Sequence, residues 1–413
     1  VDILFIHQNM PAQFRHLAPA LAVQDRYRVV FVTQRAGVDL PGVRTVRYDA
    51  PRPGGAATHH YVRQFEAGVR YGQQVARTLI ELKNEGFDPA VIIGHPGWGE
   101  MLFVRDVFPR AAIISYAEFY YSGVGADVGF DPDAPASFDA ICRTRVRNSH
   151  LLLSLEMADF GLAPTEWQRS RHPAAFLPKI RTIFDGIDVG IVRPVADARF
   201  VLPDGRTLTA ADEVVTYTAR NLEPYRGYPS FIRAVPAILR ARPHAHVVIC
   251  GGDEVSYGRA PDPGADGAVT WRAAMNAEVP LDTAEYAGRV HFTQRLPYAR
   301  YLSLLQISSA HVYLTVPFVL SWSCLEAMSA GCIVVASDTP PVREVIEPGV
   351  NGLLVPFFDP TAIAAEVARA LAERAALAPM RAAARATIVD HYALDRCLPR
   401  QIALVEQAAG LRR

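Results

Sequence analysis

Within the apolar run VPFVLSWSCLEAMSAG (316–331) stands one carboxylate, Glu326. A buried carboxylate is costly unless something pairs with it, so Glu326 needs a partner from the protein or from a ligand. A strand expected over 310–315 leads through Pro317 into a helix starting near Ser321 or Ser323, both suited to N-caps. A helix start at the carboxyl edge of a sheet offers free N–H groups and the positive dipole end to a phosphate. Glu326 then sits one turn inside, where an acceptor-only carboxylate holds the vicinal hydroxyls of a ribose, or else complements the helix dipole. Arg220 and Arg226, in RNLEPYRG, are expected to project from one strand-to-helix loop. Paired guanidiniums suit a diphosphate because Arg donates in planar, bidentate fashion. Lys83 and Lys179 are the only lysines against 40 arginines, so exposed loop arginines are the competing reading.

Other groups stand near expected strand ends. His95 in IIGHPGWGE either faces a ligand or is satisfied by backbone. Glu118, Tyr120 and Tyr121 in AEFYY would form an acceptor wall or pack on the core, and Gln8, Asn9 and Gln13 lie in QNMPAQF. The DPD at 131–133 has an Asp-x-Asp form used for metal, but it lies in a Pro-rich loop, so no metal is expected. GVGADVG (123–129) has the wrong glycine spacing for a dinucleotide loop. RTRVR (143–147) reads as a solvated helix face, with anionic lipid headgroups as the alternative.

The elements that must position these groups form two series. DILFIH (2–7), RVVFVTQ (28–34), VRTVRYD (43–49), AVIIG (90–94) and AAIISY (111–116) read as strands, with helices over 12–22 and 61–84. After a linker-like stretch from 189 to 213, VVTYTAR (214–220), HVVICGG (246–252), RVHFTQ (289–294), AHVYLT (310–315) and CIVVAS (332–337) repeat the pattern, with a helix over 229–240 and an inserted loop over 259–279. Buried strands alternating with helices predict parallel, doubly wound α/β sheets. Two such domains are expected to face a cleft, with ligands at the carboxyl ends of the strands. Near 220, 252, 295 and 318–326 one wall is expected; 7–13, 94–98 and 116–121 would form the other.

The 413 residues suffice for two cores, and 42 basic against 42 acidic side chains give no bulk case for nucleic acid. Cys142, Cys250, Cys324, Cys332 and Cys397 are scattered without CxxC spacing, as buried thiols of a reducing compartment would be. No leader-like segment and no membrane-length apolar run is read, so the expectation is a soluble, cytoplasmic protein.

FDGID (184–188), ARNLEPYRGYPSFIRA (219–234), VVICGGDE (247–254) and LEAMSAGCIVVASDTPPVREVIEPGVNGLLVPFFDP (325–360) resemble the retaining glycosyltransferases of the group 1, or family 4, type with the GT-B fold. FIHQNMPAQFRHLAPAL, YAEFYYSGVGADVGFDP and PTEWQRSRHP in the first half resemble one bacterial branch of it. The resemblance implies two Rossmann-like domains: an acceptor domain over 1–190 and a nucleotide-sugar donor domain over 191–385. A C-terminal helix over 386–413 would pack back toward the first. It assigns catalytic roles to Arg220, Arg226 and His95, with Arg226 standing where a lysine is usual. Donor contacts fall to Glu326, Arg220, Arg226, Gly252 and the stretch Phe318, Val319, Leu320, Ser321, Trp322 and Ser323; acceptor contacts fall to Glu118, Tyr120 and Asn9. Glu326 matches the second glutamate of the family's E-x7-E element, but Phe318 replaces the first, and the family's Gly-rich loop is replaced by QNMPAQF. The implied reaction moves a sugar from a nucleoside diphosphate, UDP by default, to a hydroxyl of a glycan, lipid-linked or small-molecule acceptor. It proceeds with retention and without metal or other cofactor. Peripheral contact with the inner membrane face belongs to the same expectation. A nucleotide-sugar epimerase and a binding subunit that has lost catalysis are the alternatives. A phosphorylase would need a lysine for pyridoxal phosphate near the second-half site, and neither Lys83 nor Lys179 lies there.

Overall fold

The computed structural model describes residues 1–55, 57–263 and 270–411. They divide into two compact units, Val1–Gly186 with the segment from Leu394 onward, and Ile187–Ala393.

The first unit is built on β1 (Asp2–Ile6), β2 (Arg28–Thr33), β3 (Arg44–Arg47), β4 (Val91–Gly94), β5 (Ala112–Tyr116), β6 (Phe160–Ala163) and β7 (Ile180–Thr182). They lie in the order β3-β2-β1-β4-β5-β6-β7, and every pairing is parallel. Ile3, Leu4, Phe5 and Ile6 are all buried, as a strand covered on both faces requires. Successive strands build outward from β1 in one direction and then resume at β4 in the other. The chain therefore parts at the carboxyl ends of β1 and β4, which is where open parallel sheets bind ligands.

The second unit contains β10 (Val214–Asn221), β11 (His246–Gly252), β12 (Val290–Thr293), β13 (Ala310–Tyr313), β14 (Val334–Ser337) and β15 (Leu353–Val355). Their order is β12-β11-β10-β13-β14-β15, again all parallel, so here the chain parts between β10 and β13. A small antiparallel hairpin, β8 (Arg199–Val201) with β9 (Thr207–Thr209), occupies the stretch read as a linker.

Several expectations change in detail. The helix expected over 12–22 is split into a 3-10 turn, Ala12–Phe14, and a helix, Leu17–Ala22. Pro19 explains the split, because a proline lacks an N–H and is tolerated only in a first turn. The loop expected over 259–279 ends in a helix, Trp271–Glu278, capped by Thr270, whose hydroxyl accepts from the Ala273 N–H at 3.1 Å. Residues 264–269 of that stretch lie outside the described residues. The long helix expected over 61–84 spans Arg63–Asn84 and ends before Gly86, which takes φ +84°. All five cysteines are free thiols, and all but Cys142 are buried.

Buried histidines set the acid behaviour of the fold. Burial lowers His311 to about 3, and it lowers His172 and His291 to about 4. His7 is also held well below the usual value by burial and then by neighbouring His95. Unfolded, each titrates near 6.5, so below that pH the unfolded chain binds more protons and stability falls. Glu100 works in the opposite direction, because burial raises it to about 7 and its contribution is lost as pH rises through that value. Burial also lowers His150 and His246 and raises Glu223, so six histidines against two carboxyls leave a net positive slope. Thermal melts across pH are expected to be nearly flat above 7 and to drop steadily from about 6.5 toward 4. A melting temperature that holds constant to pH 5 would contradict this.

Candidate active site

In the second unit the site grows from the loops after β10, β11 and β13. Arg220, at the end of β10, is exposed and its side chain makes no hydrogen bond or ion pair among the described residues. The chain then turns through Pro224–Arg226 to Gly227, at φ +65°. A Cβ on Gly227 would overlap the Leu314 side chain, so the turn needs glycine for both conformation and space. That close approach brings Arg226 onto the neighbouring loop: its Nη1 donates to Thr315 Oγ1 at 2.8 Å and to the Val319 carbonyl at 3.3 Å.

Glu223, also buried, ties down the loop after β11. Its Oε2 accepts from the N–H groups of Ser256 and Tyr257, both at 2.9 Å, while burial pushes its pKa up. Asn221 donates to Ser256 Oγ at 2.7 Å and accepts from Arg295 Nη2 at 2.6 Å. A side chain at Gly252 would press on Asn221 Oδ1 at 2.7 Å and Arg295 Nε at 2.9 Å, which accounts for the glycine there. This clamp sets the Tyr257 ring 5.7 Å from the Arg226 guanidinium and edge-on to Phe318, with ring centroids 5.0 Å apart. Tyr225 meets Phe318 edge-on as well, at 5.8 Å. Phe318 is therefore the buried centre of an aromatic cluster. Replacing it with Leu keeps most of the volume but loses both edge contacts, so Phe318→Leu is expected to cost about 1 kcal/mol in chemical denaturation.

Val319 and Leu320 are buried, and Ser321 caps the helix Trp322–Ser329, its Oγ accepting from the Ser323 N–H at 3.4 Å. The Ser321 N–H donates to the Tyr313 hydroxyl at 2.9 Å, which fixes where the helix begins. Glu326 is only 7% exposed. Two phenols pair with it: Tyr298 donates to Oε1 and Tyr301 to Oε2, each at 2.8 Å.

The first unit carries a second polar constellation. His7 follows β1 and His95 follows β4, so the parting of the sheet places their rings 4.9 Å apart, with Trp98 5.0 Å from His95. The Gly97 N–H donates to His95 Nδ1 at 3.0 Å, which leaves the proton on Nε2. From there His95 reaches Glu118 Oε2 at 3.2 Å, and Gln13 Nε2 donates to Glu118 Oε1 at 2.8 Å. Gln168 donates to the Glu118 carbonyl at 2.7 Å. Glu118 keeps a third of its side chain exposed, so this carboxylate is held rigidly at a surface. Asn9 is exposed, and its N–H donates to His7 Nδ1 at 2.9 Å. Tyr120 is half-buried against Ala117, Leu155, Ala163 and Ile180.

Two family descriptions match the chain: "Glycosyl transferase family 4 group" over residues 25–192 and "Glycosyl transferases group 1" over residues 205–387. The chain belongs to the group 1 glycosyltransferases. Its two parallel-sheet units form the GT-B fold, and like other members it transfers sugar from a nucleotide sugar. Among solved structures it is similar to sucrose-phosphate synthase from Thermosynechococcus elongatus, with TM-score 0.72 and 19% identity over 98% of both chains. HepE of Anabaena, in complex with UDP and glucose, matches with TM-score 0.66 and 14% identity over 98% of this chain and 99% of that one. A glycosyltransferase from Rickettsia africae matches with TM-score 0.66 and 13% identity over 98% of each. The comparison with curated protein sequences finds no match.

Asp131 Oδ1 accepts from the Asp133 N–H at 2.9 Å, so DPD closes its own turn. Among the described residues no cluster of three or more His, Cys, Asp or Glu could hold a metal ion. Gly125 and Gly129 of GVGADVG take φ +74° and +69° in an irregular loop. In RTRVR, Arg143 pairs with Asp139 at 3.5 Å, and Arg147 lies over Tyr121 and donates to its hydroxyl at 2.9 Å. No helix among the described residues is long and apolar enough to cross a membrane. The phenols of Tyr298 and Tyr301 and the loop anchors Glu223 and Asn221 were not anticipated, and His7 was placed on the expected wall of residues 7–13 without a role of its own. The tyrosines are spaced i, i+3 in LPYARYLSLL, a signal that points to one helix face without naming what it meets.

Proposed function

We propose that this glycosyltransferase is a retaining enzyme that takes its sugar from a UDP-sugar and works without a metal ion. The observation that carries the reading is Arg220: an exposed guanidinium with no side-chain partner, at the parting of β10 and β13, in a unit where Arg226 is anchored to the adjoining loop. As the sugar leaves, negative charge grows on the diphosphate, and preorganised donors aimed at it are the main catalytic lever. Arg220, Arg226 and the N–H groups at the start of the Trp322–Ser329 helix supply that positive charge. Glu326 takes the ribose hydroxyls, and backbone of Val319–Ser323 lies against sugar and phosphate. Attack comes from the face of departure, with the leaving phosphate taking the proton of the acceptor hydroxyl. In the first unit, Glu118, Tyr120 and Asn9 contact the acceptor and His95 the donor sugar. HepE, a structural neighbour solved with UDP-glucose, supports UDP as the first nucleotide to try.

The test is a thermal-shift panel of UDP, GDP, ADP and TDP with their sugars, repeated in EDTA. It is followed by transfer to hydroxyl acceptors with the product's anomeric configuration read by NMR. A shift with UDP that survives EDTA, and a retained product, are expected. Inversion, loss of transfer in EDTA, or epimerised donor without acceptor would each contradict the reading.

A further inference from the structure

We propose that Tyr298 and Tyr301 form a two-phenol clamp that positions Glu326 to receive both vicinal hydroxyls of a ribose. The enzyme would then select a ribonucleoside diphosphate and reject its 2′-deoxy counterpart. The proposal rests on the reading of Glu326 as the ribose acceptor and adds two residues and a selectivity that this reading does not contain.

Three observations support it. Tyr298 and Tyr301 lie three residues apart on the helix Tyr298–Gln306, so their rings share a face, 5.9 Å apart and 29° from parallel. Each phenol donates to a different oxygen of the same carboxylate, at 2.8 Å. Glu326 itself is buried, on a helix whose other buried members include Cys324, Leu325, Ala327 and Met328.

Two donors on two oxygens do what one cannot. A carboxylate held at a single oxygen still rotates about its last torsion; held at both, its plane is fixed. A carboxylate offers about four lone-pair directions, and the phenols engage one on each oxygen. The group is thus oriented as a pair of acceptors rather than as a point charge. Binding groups whose rotamers are locked by supporting hydrogen bonds lose less on binding and discriminate more sharply. A site built to bind a hydroxyl rejects the analogue lacking it, because its own polar groups are then left unmatched. Glu326 stands one turn beyond Ser321, the cap of the helix start assigned to the diphosphate, which is where the sugar of the same nucleotide would lie.

The experiment is calorimetric titration of the full chain with UDP and 2′-deoxy-UDP, on wild type and on Tyr298→Phe, Tyr301→Phe, Glu326→Gln and the Tyr298→Phe/Glu326→Gln double variant. Tyr298 is 42% exposed, so its variant is expected to fold, and melting curves check the buried Tyr301 position. Wild type is expected to prefer UDP over 2′-deoxy-UDP by at least about tenfold. Each Tyr→Phe change should weaken UDP about tenfold and bring the ratio toward one, with 2′-deoxy-UDP little affected. In the double variant the tyrosine change should add nothing, since both residues act through one carboxylate. A ratio that stays at the wild-type value in both tyrosine variants overturns the clamp while leaving the ribose reading intact. Tighter UDP binding in either also overturns it, since the phenol would then be competing with the ribose. Wild type that binds UDP without preference, or binds no nucleoside diphosphate, overturns the ribose reading and the clamp with it.

Discussion

Arg220→Ala is expected to lower sugar transfer by about 10²–10³-fold while the protein stays as stable as wild type to within about 0.5 kcal/mol. The two halves of this result come from the same fact. Arg220 is exposed, and its side chain has no hydrogen-bond or ion-pair partner among the described residues, so deleting it breaks no such contact and leaves only a weaker field on Glu223. What remains is its charge, held at the end of an eight-residue strand at the point where the second sheet parts. Removing one preorganised donor from a developing oxyanion carries that size of penalty in enzymes generally. Arg226→Ala should behave differently, because Arg226 also donates to Thr315 and to the Val319 carbonyl and so holds the loop before Ser321. Its loss should lower both transfer and melting temperature. Arg220→Lys separates charge from shape: it keeps the cation but loses the planar fork, and should recover only part of the activity. Steady-state transfer with melting curves on the three variants decides the matter. An Arg220→Ala enzyme with wild-type kcat and nucleotide affinity would remove Arg220 from the site.

The contrast between these arginines also marks how far the sequence could be read. Both sheets, the helix start at Ser321 and the placing of Glu326 one turn inside follow from apolar runs and one cap residue, all within a short window of chain. The short strands β6, β7 and β15 have three or four residues each, too few to show a period. The partners of Glu326 were hidden for another reason. They come from a different helix, more than twenty residues earlier in the chain, and tyrosine at helical spacing is usual in a core. Phe318 was visible as a departure from the family's glutamate. Its setting was not, because Tyr225 and Tyr257 reach it from the loops after β10 and β11, which the Glu223 and Asn221 anchors help to bring together. In the first unit His95 was legible as a strand-end histidine. His7 fell on the same expected wall, but that its ring meets the His95 ring required knowing that β1 pairs with β4.

Gly99→Ala should be the most damaging small substitution in the first unit, costing about 3 kcal/mol or more. Gly99 takes φ +99°, a conformation that L side chains rarely adopt, and that alone costs about 1–2 kcal/mol. The larger part is steric, since a Cβ there would lie inside the backbone of Gly68, on the helix Arg63–Asn84. Backbone cannot swing aside as a side-chain tip can. The same helix offers Gly72, whose own Cβ would stand 2.9 Å from the Gly99 carbonyl, so two glycines let the helix ride directly on the turn His95–Glu100. Relief requires either lifting the helix, which uncovers Val75 and Leu79 of the core, or shifting the turn, which draws His95 away from Glu118. The first route lowers stability and the second lowers transfer below the melting temperature, so both are to be measured. Gly86→Ala is the control: it too has a positive φ, +84°, but nothing lies within 4 Å of its added Cβ. It should show the backbone strain alone, about 1 kcal/mol. If Gly99→Ala melts no lower than Gly86→Ala, the helix does not rest on that turn, and the packing that holds His95 in place must be sought elsewhere.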